Sequence, residues 1–176
     1  HDWIDKGTDR YIRALPELRR LISRRFKVCF TPWGKEVERS RQLISELQCD
    51  DLVEWVGPFG RVHLARWLSA ADVVFDQLAF PSFSGITPRA LACGVPVIAA
   101  YEHSTLAWMF PEPAPVLAAR STAEVVKQTV IAIEPAFRAN YTRQARAWVE
   151  SYHSSSQVVQ KMLAVYACLI KELNSG

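Results

Sequence analysis

The chain has 176 residues, of which 49% are hydrophobic, and its 21 lysines and arginines against 18 acidic residues leave a formal net charge of +3. That length suits one domain with a full core, and the arginines are spread along several helical patterns without a K/R-rich tract, so no nucleic-acid surface is expected. No run of about 18 apolar residues and no signal peptide is present, and Cys29, Cys49, Cys93 and Cys168 sit singly in or beside apolar segments; a soluble, cytoplasmic protein with buried thiols and no disulfide framework is expected.

In chain order, Thr8-Asp9 can cap a helix whose apolar face is Tyr11, Ile12, Leu15, Leu18 and Ile22, with Pro16 kinking or restarting it. Phe26 to Thr31 follows as a buried strand, Pro32-Trp33-Gly34 as a turn, and Glu36 to Leu47 as a helix turning Val37, Leu43, Ile44 and Leu47 inward. Leu52 to Val56 is the next strand. Gly57-Pro58-Phe59-Gly60 then breaks the chain before a helix carrying Val62, Ala65 and Leu68. Asp72 to Asp76 is a strand, Gln77 to Thr87 an irregular loop, and Thr87-Pro88 the N-cap and first residue of a helix that Gly94 ends before the strand Val95 to Ala99. This alternation predicts an α/β fold, a doubly wound parallel sheet covered on both faces.

Beyond Ala100 a loop at Tyr101 to Ser104 precedes one helical turn at Leu106 to Phe110. Pro111, Pro113 and Pro115 then enforce an extended passage into a short strand at Val116-Leu117. Ser121-x-x-Glu124 is a capping box for a helix with Val125, Val126 and Val130 inward. Pro135 opens another helix, with Phe137, Tyr141, Ala145, Trp148 and Val149. Ser154-x-x-Gln157 caps a last one, with Val158, Met162, Leu163, Tyr166 and Ile170. Three extra C-terminal helices are thus expected to close a single domain over residues 1–176, without repeat or linker.

The chemistry is narrowed first by what is missing. No G-x-G-x-x-G follows a strand, no P-loop occurs, and His1, His63, His103 and His153 have no carboxylate or cysteine at ligand spacing, so no metal is expected. What remains are the loops Thr31 to Gly34, Gly57 to Gly60, Gln77 to Thr87 and Tyr101 to Ser104, which in a parallel sheet rise on one side. Ser82, Ser84, Gly85 and Thr87 are expected to leave backbone N–H groups open to a phosphate ahead of a helix.

Several motifs occur in a recognisable order. They are Lys6-Gly7-Thr8-Asp9, Trp33-Gly34, Leu43-Ile44-x-Glu46-Leu47, Val53-x-Trp55, Ala71-Asp72-Val73-Val74 with Asp76-Gln77, and Ala90-Leu91-Ala92-Cys93-Gly94-Val95-Pro96-Val97-Ile98. In this order and spacing they resemble the C-terminal, donor-binding domain of family 4 (group 1) glycosyltransferases, over nearly the whole chain. The resemblance implies the Rossmann-like C-terminal half of a two-domain GT-B fold. It further implies a nucleoside-diphosphate sugar as donor substrate with no other cofactor and usually no metal, and transfer with retention to a sugar or lipid-linked acceptor through a missing N-terminal domain. Membrane association is then left to the full-length protein, peripherally at the inner face. Lys6 would be the catalytic cation at the donor diphosphate. Gly34, Gly57, Pro58, Ser84, Gly85, Ile86, Thr87 and Arg89 would bind the donor, with Gly57-Pro58-Phe59 supporting the base. The family's upstream arginine has no counterpart before Lys6, and its first strand is missing or incomplete.

The chain departs from the family at two glutamates separated by seven residues, where it has Pro81 and Arg89. An arginine accepts no hydrogen bond, so ribose recognition must be rebuilt or lost. Arg89 is then a phosphate ligand, a surface residue, or the mark of a degenerate site. Other positions also carry two readings. Lys6 is a diphosphate ligand or a solvated lysine; Gly57-Pro58 holds the base or is only a turn; Trp33 lines the cleft or caps the core. Glu102-His103 meets acceptor or sugar, or is solvated, and Asp76-Gln77 orients the loop or merely caps the strand. Two alternatives to a transferase stand beside these readings: a non-catalytic nucleotide-sugar-binding or regulatory module, and a GT-B-type nucleotide-sugar epimerase.

Overall fold

A computed structural model describes residues 1–58 and 60–173, so Phe59 lies outside the described residues. The elements are α1 (Thr8–Leu21), β1 (Val28–Phe30), α2 (Val37–Glu46), β2 (Val53–Trp55), α3 (Arg61–Ala70), β3 (Val74–Phe75), α4 (Ile86–Ala92), β4 (Val97–Ala99), β5 (Leu117–Ala118), α5 (Thr122–Ala132), α6 (Pro135–His153) and α7 (Ser155–Leu173). All strand pairs are parallel, but they form two sets: β1 pairs with β2, and β4 lies between β3 and β5. The single sheet expected from the alternation is therefore in two pieces. Helix α1 straddles them, sending Ile12 and Leu15 into the cluster under β1 and β2, and Tyr11 and Leu18 into the cluster under β3 to β5.

The double covering is visible in β4, where successive side chains point to opposite faces. Val97 and Ile98 are both fully buried, Val97 among Leu68, Leu91, Tyr141 and Trp148, and Ile98 among Tyr11, Leu18, Val125 and Val126. Helices α3, α4 and α6 thus supply one face and α1 and α5 the other.

Local chemistry explains most element ends. Ser121 and Glu124 form the expected capping box on α5, Pro135 is the first residue of α6, and the amide of Gln157 reaches Ser154 Oγ at 3.5 Å. After α4, Gly94 turns the chain with φ 74°, where a Cβ would meet Thr142 Cγ2 at 2.5 Å.

Other expectations need correction. Gly7, with φ 65°, caps α1 in place of Thr8-Asp9; Thr8 is already helical, and its hydroxyl donates to the Asp2 carbonyl at 3.0 Å. Pro16 does not interrupt α1, whose buried Ile12, Leu15 and Leu18 hold the turns around it. Helix α3 buries Leu68 and packs Leu64, an i, i+4 pair, while Val62 and Ala65 are exposed. The 3-10 turn after β4 falls at His103–Thr105, ahead of Leu106. Cys49 is buried, but Cys29 and Cys168 are exposed and Cys93 is intermediate; all four are free thiols. Helix α7 buries no residue, so only α5 and α6 close the core.

Candidate functional site

The first eight residues tie the carboxyl ends of the two strand sets together. The His1 ring sits 5.0 Å from Phe30 and 5.1 Å from Trp55, at the ends of β1 and β2, and the His1 carbonyl accepts from the Glu36 amide at 3.2 Å. Five residues later the Lys6 carbonyl accepts from the Leu78 amide at 2.8 Å, just beyond β3. The loops that the sequence assigns to a site therefore do rise on one side.

Beyond β3 the chain is organised by one carboxylate. Asp76 is buried, and its two oxygens take four donors: Oδ1 accepts from the Gln77 amide (2.8 Å) and Ser84 Oγ (2.7 Å), and Oδ2 from the Ser84 amide (2.6 Å) and Thr87 Oγ1 (2.7 Å). Asp76 thus orients the whole loop from Gln77 to Thr87, the larger of the two roles open to it. The nearby Tyr11 hydroxyl, buried and without a partner among the described residues, is pushed well above its ordinary value by burial and, secondarily, by the Asp76 charge.

This network corrects the expectation of an open row of amides. The Ser84 amide is taken by Asp76, the Thr87 amide by the Ser84 carbonyl (3.2 Å), and the Ile86 amide approaches Ser84 Oγ at 3.4 Å. Gly85 caps α4, while Thr87 is fully buried inside the first turn. Of the four residues expected to offer amides, Ser82, Ser84, Gly85 and Thr87, only Gly85 has an amide with no acceptor among the described residues. Arg89 folds back over this turn, its Nη1 donating to the Gly85 carbonyl at 2.5 Å.

Lys6 is brought to the same place. Its ammonium donates to Gln77 Oε1 at 2.8 Å, across 71 positions of sequence, and Gln77 is itself buried. Arg10 backs the junction by donating to the Leu78 carbonyl (2.6 Å) and the Arg120 carbonyl (2.7 Å). Sequence reasoning left Arg10 out, because its role depends on two carbonyls far along the chain.

Beyond the ends of β1 and β2 lies a shallow, mainly apolar cavity of about 320 Å³ lined by Thr31, Pro32, Trp33, Pro58 and Leu64. Trp33 is 75% exposed at its rim, so it lines this cavity and does not cap the core. Gly57 stands beside Pro58 with nothing among the described residues within 4 Å of a Cβ built on it. Gly34 does not line the cavity, since a Cβ there would run into the His1 backbone.

On the β4 side, Glu102 pairs with Arg120 and accepts from Ser104 Oγ at 3.0 Å; the Arg120 hydrogen bond, then that of Ser104, holds its carboxyl below the ordinary range. The neighbouring His103 Nδ1 lies 3.1 Å from the Tyr101 hydroxyl, which accepts from the Ala114 amide at 2.9 Å. This loop packs on the loop from Gln77 to Thr87 through the Thr105 hydroxyl, which donates to the Pro81 carbonyl at 2.7 Å. Among the described residues no three of His, Cys, Asp and Glu gather as metal ligands, and no helix is long and apolar enough to cross a membrane.

Residues 10–164 match the family described as "Glycosyl transferase-like". The D-inositol 3-phosphate glycosyltransferase of Kribbella flavida is 35% identical over 103 residues, covering 56% of this chain and 24% of that protein. The enzyme of the same name from Pseudarthrobacter chlorophenolicus is 36% identical over 66 residues, 38% of this chain and 16% of that protein. Among solved structures, sucrose-phosphate synthase from Thermosynechococcus elongatus superposes with a TM-score of 0.72 at 22% identity, over 93% of this chain and 43% of that one. Anabaena Alr3699/HepE in complex with UDP-glucose gives 0.74 at 18% identity, over 93% and 45%. The chain spans less than half the length of these solved proteins. The likeness shows the fold: a Rossmann-like half of the GT-B type.

Proposed function

The chain belongs to the glycosyl transferase-like family, and from that premise we propose that it is the donor-binding, C-terminal half of a longer GT-B glycosyltransferase that transfers a sugar from a nucleoside diphosphate to an acceptor. The observation that carries this reading is the Lys6 ammonium, held at the end of β3 by Gln77 and tied by residues 1–8 to the cavity beside Trp33 and Pro58. A cation there meets the charge that grows on the diphosphate as the bond from the anomeric carbon to the β-phosphate oxygen breaks; a preorganised charge stabilises that state more than the bound donor. The acceptor hydroxyl oxygen bonds to the anomeric carbon, and its proton passes to the departing β-phosphate oxygen, which has taken the electron pair of the broken bond.

In this reading the Gly85 amide and Arg89 complete the diphosphate contact, and the apolar cavity takes the base between Trp33, Pro58 and Gly57. Ser84, Ile86 and Thr87 shape the loop from behind, and Gly34 supports the cavity wall. Transfer with retention and without a metal, a cytoplasmic setting, and an acceptor, sugar or lipid-linked, bound by an N-terminal half belong to the same proposal. The neighbour HepE is solved with UDP and with UDP-glucose, which makes uridine donors the first to test.

A second reading, a nucleotide-sugar-binding module without turnover, is favoured by one feature: Pro81 and Arg89 leave no carboxylate for the donor hydroxyls. The experiment that separates the two is nucleotide release by the full-length protein with donor and candidate sugar or lipid-linked acceptors. Acceptor-dependent release supports the transferase. Donor binding with no release across the acceptor set supports the module.

A further inference from the structure

Gln77 is 8% exposed at the end of β3, and its side-chain oxygen accepts the Lys6 ammonium at 2.8 Å. Its backbone is fixed on both sides. The amide donates to Asp76 Oδ1 at 2.8 Å, and the carbonyl accepts from the Ala100 amide at 2.8 Å. The next residue, Leu78, donates to the Lys6 carbonyl at 2.8 Å. Lys6 is therefore held at both its main chain and its tip, although its side chain is exposed.

The chemistry of the partner decides what this hold can do. Restricting a lysine side chain in advance removes rotamer entropy that a ligand would otherwise have to overcome. A carboxylate would give the same restriction but would cancel the charge. An amide oxygen accepts the hydrogen bond and leaves the ammonium its full charge for an anion. The adjacent carboxylate, Asp76, is committed elsewhere, with two donors on each oxygen.

We propose that Gln77 is the positioning residue of the donor site, holding the Lys6 ammonium with its charge intact where the donor diphosphate binds; this rests on the reading that Lys6 meets that diphosphate. The test is calorimetric binding of UDP, GDP and ADP, and of the matching nucleosides, to the parent, Gln77→Glu and Gln77→Met. Gln77→Glu is expected to weaken the preferred diphosphate about tenfold at pH 8 while leaving the nucleoside unchanged. Its deficit relative to the parent is expected to close as pH falls toward the ordinary glutamate range of about 4.3, where the new carboxyl takes up a proton. Gln77→Met is expected to weaken the diphosphate roughly threefold, and Lys6 is expected to gain side-chain mobility by NMR. A parent that binds none of the three diphosphates overturns the donor reading and this role with it. A parent that binds, with Gln77→Glu equal to it or losing nucleoside and diphosphate alike, overturns this role alone.

Discussion

Thr87 Oγ1 donates to Asp76 Oδ2 at 2.7 Å with both side chains buried, and this bond fastens the first turn of α4 to the end of β3. Removing the carboxylate leaves the Gln77 and Ser84 amides and two hydroxyls without their acceptor. Asp76→Ala is expected to lose about 3 kcal/mol or more of unfolding free energy in urea, and Thr87→Val about 1–2 kcal/mol. A loss below about 1 kcal/mol for Asp76→Ala would mean that the carboxylate does not hold the loop.

Gly94 combines a left-handed backbone with the Thr142 side chain directly over it, whose hydroxyl donates to the Gly94 carbonyl at 2.9 Å. Gly94→Ala is therefore expected to cost about 2 kcal/mol, more than left-handed backbone strain alone. Pairing it with Thr142→Ser, which removes the crowding methyl, should recover part of the loss in thermal unfolding.

The α5 cap makes a pH prediction. The Arg120 and Ser121 amides, and the Ser121 hydroxyl after them, hold the Glu124 carboxyl below its ordinary 4.5. Because the folded value is the lower one, the stabilisation is complete above 4.5 and is lost as pH falls through the folded value. Ser121→Ala is expected to cost about 1 kcal/mol at pH 7. The difference in unfolding free energy between the parent and Glu124→Gln should shrink below pH 4.5.

Helix α7 buries none of its residues, and Met162, Leu163, Tyr166 and Ile170 are each about half exposed. A chain ended at Ser154 is expected to unfold within about 4 °C of the parent, the shift that roughly 1 kcal/mol produces in a domain of this size. A larger fall in a thermal scan would show that α7 supports the core.

Features that depend on a few neighbouring residues were legible in the sequence. Ser121 and Glu124 announce a helix start, and Pro135 and Gly94 mark a start and an end, because each acts through its own backbone. The two-sided burial of β4 also followed, from the alternation of strands and helices. Long-range packing was not legible. Whether α3 turns Leu64 or Val62 inward depends on the neighbours across its face, and the apolar pattern of α7 says nothing of what lies beside it. The site divides in the same way. Lys6, Trp33 and Pro58 are candidates that their motifs single out. Asp76 consumes amides that the loop sequence makes look free, and Gln77 meets Lys6 across 71 positions, a pairing that only the folded chain brings about.

The most direct measurement is calorimetric titration of this chain and of Lys6→Ala with UDP, GDP, ADP and their sugars. The parent is expected to prefer one nucleotide, and Lys6→Ala to bind that diphosphate about tenfold more weakly, the equivalent of roughly 1.4 kcal/mol, while binding the nucleoside equally well. Absence of binding to every nucleotide, or an unchanged diphosphate affinity in Lys6→Ala, would contradict that expectation.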